Sequence, residues 1–140
     1  VMNTDNKMCN ISLTSSMEDY LEAVLVLQQK HGYIRCVDVA GYLGVTKPSV
    51  SRAVKELSKK KCLLKKDDGT LSLTEQGRQI AQQIYEKHQF FTKQLIEAGV
   101  PRDIAVQDAC RLEHVISETS FNKLKEAAWM KAQEVIPSEK

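Results

Sequence analysis

"CVDVAGYLGVTKPSVSRAVKELSKKKCLL", residues 36–64, decides how this chain folds. Val37, Ala40 and Leu43 recur at helical spacing and predict a short helix ending near Gly44, with Val45 in the turn beyond it. Thr46 has the hydroxyl to cap a second helix, and Lys47-Pro48 fall in its first turn, where proline is tolerated. Val50, Ala53, Val54 and Leu57 then form the inward face of that second helix. Two short helices joined by a tight turn containing glycine make a helix-turn-helix. The inward pattern leaves Lys47, Pro48, Ser49, Ser51, Arg52 and Lys55 facing out. Short polar groups and Arg near a helix start suit base edges in a major groove, while Lys holds phosphates.

Working outward, "CLLKKDDGTLSLT" at residues 62–74 places the tight-turn pair Asp68-Gly69 between Leu63-Leu64 and Leu71-Leu73. Those runs predict a small hairpin, the wing of a winged helix. Lys65 and Lys66 on it suit contact with a DNA backbone, and Lys59, Lys60 and Lys61 add non-specific attraction. Upstream, Ser16 begins S-x-x-D and is expected to cap a helix over 17–30, with Leu21, Val24, Leu25 and Gln28 on one face and His31-Gly32 as its stop. Downstream, Thr74 with Glu75 caps a long helix closed by Gly99. Pro101 opens another through about Ile116, and Ser117 or Ser120 caps a last one towards Val135. The fold class is therefore mainly α: an N-terminal winged helix-turn-helix with a β-hairpin wing, then a helical domain. The expected division is a disordered tail over 1–15, a DNA-binding domain over 16–77 and a helical domain over 78–140.

Charge agrees with that division. The chain carries a net charge of only +2, yet residues 1–29 hold −3, residues 30–78 hold +6 and residues 79–140 hold −1. A basic block in a nearly neutral protein points to a polyanionic partner or to a solvated lysine face, and the outward helix residues favour double-stranded DNA. A single recognition helix buries too little to be specific, so a homodimer on a palindromic operator is expected, joined through the helices after Thr74. No apolar run approaches the roughly 18 residues of a membrane span. The polar N-terminus lacks the basic start and apolar centre of a signal peptide, so a cytoplasmic location and no membrane partner are expected. Cys9, Cys36, Cys62 and Cys110 are scattered with no CxxC pair, which fits neither a zinc finger nor a disulfide framework.

Three stretches carry side chains that ligate metals. Asp19 and Glu22 form an i, i+3 carboxylate pair on the first helix. His88 stands beside Tyr85, Phe90 and Phe91 on the long helix, and Cys110, Glu113 and His114 share one side of the next. Taken singly, these read as dipole compensation, a core histidine and a buried thiol beside a surface pair. Taken together, two or three ligands per helix from several helices is how helical proteins build carboxylate–imidazole metal sites.

"SMEDYLEAVLVL", the helix-turn-helix and wing, "EKHQFF" and "DACRLEHVIS" follow one another in the order found in the diphtheria toxin repressor and manganese transport regulator family. The chain resembles those metal-dependent transcriptional repressors over roughly residues 16–130, in their short two-domain form. The resemblance implies a dimer that binds operator DNA when Mn2+ or Fe2+ is bound, controls metal-uptake genes, and also accepts Co2+, Ni2+ or Zn2+ in vitro. It places the metal ligands at Asp19, Glu22, His88, Cys110, Glu113 and His114. Manganese-type members carry Asp and Glu at the positions of Asp19 and Cys110, and iron-type members Met and Cys, so this chain is a hybrid. The ancillary site of iron-type members is not matched, because Thr92 and Val106 stand where they have Glu and His. The carboxylate–His–Cys cluster also suits a catalytic metal centre, but no sequence element would position a substrate or a general base beside it, so an enzyme is not expected. The competing expectation is a winged-helix regulator that responds to thiol oxidation at Cys110 or to an organic ligand, with any metal purely structural.

Overall fold

The computed structural model describes residues 12–135. The elements are helices α1 (Ser15–His31), α2 (Cys36–Leu43) and α3 (Lys47–Lys59), strands β1 (Leu63–Lys65) and β2 (Leu71–Leu73), then helices α4 (Glu75–Glu97), α5 (Arg102–Val115) and α6 (Glu118–Val135). No helix among the described residues is long and apolar enough to cross a membrane. The chain divides into two compact units, one running to Tyr85 and one from Glu86, so α4 contributes to both. Most of the expected N-terminal tail lies outside the described residues, as does Cys9, and Ser15 is already helical.

In the first unit α1 is buried along Tyr20, Leu21 and Ala23 to Leu27, not along the single stripe expected from Leu21, Val24 and Leu25. It packs against α2, α3 and β2, and a helix surrounded on several sides needs apolar residues on several sides. Its cap differs too. The Thr14 hydroxyl, not Ser16, accepts from the Met17 amide at 3.1 Å, because the helix already begins at Ser15 and Thr14 is the extended residue before it. In α2 the expectation for Val37 is overturned. Val37 is 52% exposed, and Val39 with Ala40 turns inward instead. Val37, Ala40 and Leu43 repeat every three residues, and that line winds off the buried face of a 3.6-residue helix.

In α3 the Thr46 hydroxyl accepts from the Ser49 amide at 3.3 Å, and Val50, Val54 and Leu57 are buried. Gly44 closes α2 in the left-handed conformation, which a residue without Cβ adopts freely. At the far end of α3 the amides of Lys61 and Cys62 reach back to Ser58 and Leu57 carbonyls at 3.0 and 2.9 Å. This is a Schellman closure with Lys61 at the left-handed position, φ 61°. The hairpin is antiparallel, Leu63 facing Leu73 and Lys65 facing Leu71. Its turn centres on Asp67 and Asp68, with Gly69 (φ 89°) one place later than the Asp68-Gly69 pair suggests.

The start of α4 is fastened to the end of α3. The Thr74 hydroxyl donates to the Lys61 carbonyl at 2.8 Å and accepts from the Gly77 amide at 3.0 Å. Gln76 Nε2 donates to the Lys60 carbonyl at 3.1 Å, so carbonyls left over from α3 are satisfied by α4. A Cβ on Gly77 would overlap the Cys62 carbonyl, which makes glycine obligatory there. In the second unit the core is Phe91, Ala109 and Phe121 with Phe90, Leu112 and Ile116. Phe90 meets Phe91 and Phe121 edge-on at 5.2 and 5.4 Å. Lys87 pairs with Glu118 at 2.6 Å and Lys125 with Glu86 at 2.7 Å, both ammonium groups lying over the Phe121 ring. The last helix is capped by Ser117, whose hydroxyl accepts from the Ser120 amide at 3.1 Å.

Three outcomes follow for stability. Gly77→Ala forces two backbones apart and should destabilise by about 2 kcal/mol or more in urea unfolding. Lys61→Gly relieves a left-handed non-glycine residue and should stabilise by up to about 1 kcal/mol. The Asp68 carboxyl is held below the usual carboxylate range, chiefly by hydrogen bonds from the Thr70 amide (3.0 Å) and hydroxyl (2.7 Å). That contribution is full above the unfolded-state value and is lost as pH falls through the lowered one. The midpoint of the Thr70 amide shift in an NMR titration should therefore lie below that of an unbonded aspartate.

Candidate metal centre and nucleic-acid interface

Helix periodicity places Cys110, Glu113 and His114 on one side of α5, and Glu113 is the most enclosed of them. Its side chain has no exposed surface. Burying a carboxylate without full compensation is costly, so its partners matter. His88, on α4, directs Nδ1 to Glu113 Oε1 at 3.0 Å. His114 holds Nε2 at 3.4 Å from Glu113 Oε2, yet that oxygen is buried and accepts no hydrogen bond. The ligand atoms of Cys110, Glu113 and His114 all lie within 4.8 Å of one another, as do those of His88 and Glu113. The fold thus brings together the four residues of the second unit that the sequence singled out. His88 is no mere aromatic-core histidine, since a carboxylate faces it.

Two imidazoles, a carboxylate and a thiol form a donor set for a divalent transition metal. The orphaned Glu113 Oε2 fits such an ion, since a cation would supply the missing partner to a buried oxygen. On α1, Asp19 and Glu22 are both half-buried and stand one helical turn apart. At the positions of the iron-type ancillary ligands, Thr92 has a buried hydroxyl with no hydrogen-bond partner and Val106 is half-buried.

The other surface lies on α3 and the wing. Lys47, Pro48, Ser51, Arg52 and Lys55 are exposed on α3, and Lys65 and Lys66 are exposed on the hairpin. Ser49 departs from this pattern. It is half-buried, and its hydroxyl accepts from Thr46 Oγ1 at 2.9 Å, so it serves the cap before any groove. Sequence reading missed Arg35, whose Nε donates to the Asp68 carbonyl in the wing turn at 3.3 Å. A partner 33 residues away leaves no periodic signal.

Comparison with known proteins follows the same division. Residues 12–68 match the family described as iron dependent repressor, N-terminal DNA binding domain. Residues 74–128 match iron dependent repressor, metal binding and dimerisation domain. The HTH-type transcriptional regulator MntR of Geobacillus kaustophilus (strain HTA426) is 32% identical over 111 residues, 79% of this chain and 79% of that protein. The solved structure of the manganese regulator SloR superposes with a TM-score of 0.73 at 27% identity, covering 80% of this chain and 53% of that one. The metal-dependent transcriptional regulator MtsR gives a TM-score of 0.75 at 26% identity, covering 83% and 54%. The chain spans about half the length of these two solved proteins.

If Glu113 Oε2 faces a cation, a metal at about 100 times its Kd should stabilise the wild type by about 2.7 kcal/mol. Glu113→Gln, which removes the charge and keeps the shape, should lose that gain while unfolding close to the wild type in EDTA. Thermal melts with and without Mn2+ read both.

Proposed function

The chain belongs to the iron-dependent repressor family of metal-dependent transcriptional regulators, and from that premise we propose that a divalent transition metal switches on its binding to double-stranded operator DNA as a homodimer. The regulator is not an enzyme. The observation that carries the metal reading is Glu113, a fully enclosed carboxylate with one oxygen that accepts no hydrogen bond, set among His88, Cys110 and His114. Asp19 and Glu22 complete the ligand set. The DNA-binding role belongs to residues 16–77 and the metal-binding and dimerisation role to residues 78–140.

Asp19, Glu22 and Glu113 are hard donors suited to Mn2+, whereas a Cys110 thiolate favours Fe2+, Co2+ or Zn2+. The physiological ion is therefore Mn2+ or Fe2+, with Co2+, Ni2+ and Zn2+ as in vitro substitutes. The genes under control are those of metal uptake, and the place of action is the cytoplasm, where the operator is.

The ion supplies positive charge that lets carboxylates share one place. Without it, carboxylates sharing that place would repel as like charges. Asp19 and Glu22 sit on the helix that packs against the helix-turn-helix, and the other four sit on α4 and α5. Ligation by residues of both groups would link the DNA-binding and dimerising parts and would narrow the range of spacings between the two recognition helices of a dimer. Half-site spacing is a geometric demand, so narrowing that range raises operator affinity by population shift. At the groove, Ser51 and Arg52 reach base edges while Lys47, Lys55, Lys65 and Lys66 hold phosphates. Pro48 fixes the first turn, and Ser49 holds the cap.

The test is DNA binding at matched free concentrations of Mn2+, Fe2+ (anaerobic), Co2+, Ni2+ and Zn2+. The probe is a palindromic duplex selected from a random pool by the Mn2+-loaded protein. Affinity should fall at least about tenfold in EDTA, equivalent to about 1.4 kcal/mol. Asp19→Ala should remove the metal response, whereas a thiol-oxidation sensor would not need that carboxylate and would regulate DNA binding unchanged. Cys110→Glu should move the preference towards Mn2+. Equal affinity with and without every metal would overturn the reading.

A further inference from the structure

The wing is a ribbon of two three-residue strands, and so short a hairpin has little stability of its own. Its position depends on what holds it from outside. Part of the hold is Ile34, whose carbonyl accepts from the Leu71 amide at 2.8 Å and so extends the ribbon along one side. The next residue holds the tip. Arg35 stands at the N-cap of α2, and its amide donates to Asp38 Oδ2 at 2.8 Å, which fixes it to the helix start. From there its Nε donates to the Asp68 carbonyl at 3.3 Å. Its stem runs beside Gly69, where an added Cβ would meet Arg35 Nε at 3.7 Å and Cδ at 3.9 Å. Asp68 turns its carboxylate onto Thr70, and Lys65 and Lys66 remain exposed on the ribbon.

We propose that Arg35 is the positioning residue that aims the wing, holding Lys65 and Lys66 at a fixed offset from α3 so that wing and recognition helix meet the same duplex together. The role is distinct from that of a phosphate contact. Arg35 acts from the rigid start of the helix-turn-helix, and its tether spares the wing the entropy of ordering on DNA. It rests on the proposed reading that the wing lysines meet DNA.

The experiment is a double-mutant cycle on the full chain with Mn2+ and the selected duplex. Arg35→Ala should weaken binding about tenfold when Lys65 and Lys66 are present. It should weaken binding less than about twofold when both are alanine, because the residue works through them. The slope of log K against log salt should fall by about 1 to 2 in Arg35→Ala, as wing phosphate contacts are lost. Arg35→Lys, which keeps the charge and loses the Nε donor, should not restore affinity. Equal losses in both backgrounds would make Arg35 an independent DNA contact and overturn the proposal, as would no loss at all. A reading without DNA separates this from the function itself. Amide hydrogen exchange at residues 67–70 should quicken in Arg35→Ala, and unchanged exchange would sink the tether. If the wild type shows no metal-dependent binding, it is the functional reading that fails.

Discussion

A carboxylate with no exposed surface sets the terms for the second unit. Glu113 is buried in α5 with one oxygen bonded to His88 and the other accepting no hydrogen bond. A protein interior tolerates such a group when something nearby offsets the lost hydration. Two imidazoles do part of this, and the orphaned oxygen marks where they fall short. Around that site the unit is conventional, with Phe90 packed edge-on to Phe91 and Phe121 and two lysine–glutamate pairs across Phe121. Thr92 on α4 also has a buried oxygen without a hydrogen bond, but it is a neutral hydroxyl, so the larger desolvation cost falls on Glu113.

The first unit depends on backbone closure at a different point. The end of α3, the hairpin and the start of α4 meet around Lys60 to Cys62, where Thr74, Gln76 and Gly77 satisfy or approach carbonyls that α3 leaves over. Because that junction is closed by hydrogen bonds and one obligatory glycine, the wing leaves and returns at fixed places. Ile34 and Arg35 then restrain it along its length.

Much of this was legible in the sequence. Thr46 before Lys47-Pro48, Thr74 before Glu75 and glycines after helical runs are local signals, and each marks the end it predicts. The cluster of Cys110, Glu113 and His114 was legible for the same reason, since helix pitch alone puts them on one side. Val37 misled because spacing tells which residues share a face without telling which face the neighbours cover, and Ser16 misled because Thr14, two places earlier, offers the same capping hydroxyl. In α1 the neighbours lie on several sides, and in α2 the buried line runs through Val39.

The sequence by itself determined the winged helix-turn-helix, the order of the helices, the basic outward face of α3 and the donors along α1, α4 and α5. These follow from short-range rules of pitch, capping and turn geometry that act within a few residues. Only the tertiary structure decided that Glu113 is the enclosed donor with an orphaned oxygen, that Gly77 admits no side chain, and that Arg35 spans to the wing. Each of those depends on groups far apart in the chain meeting at contact distance. Burial and hydrogen-bond satisfaction are properties of the packed chain, and no spacing pattern encodes them.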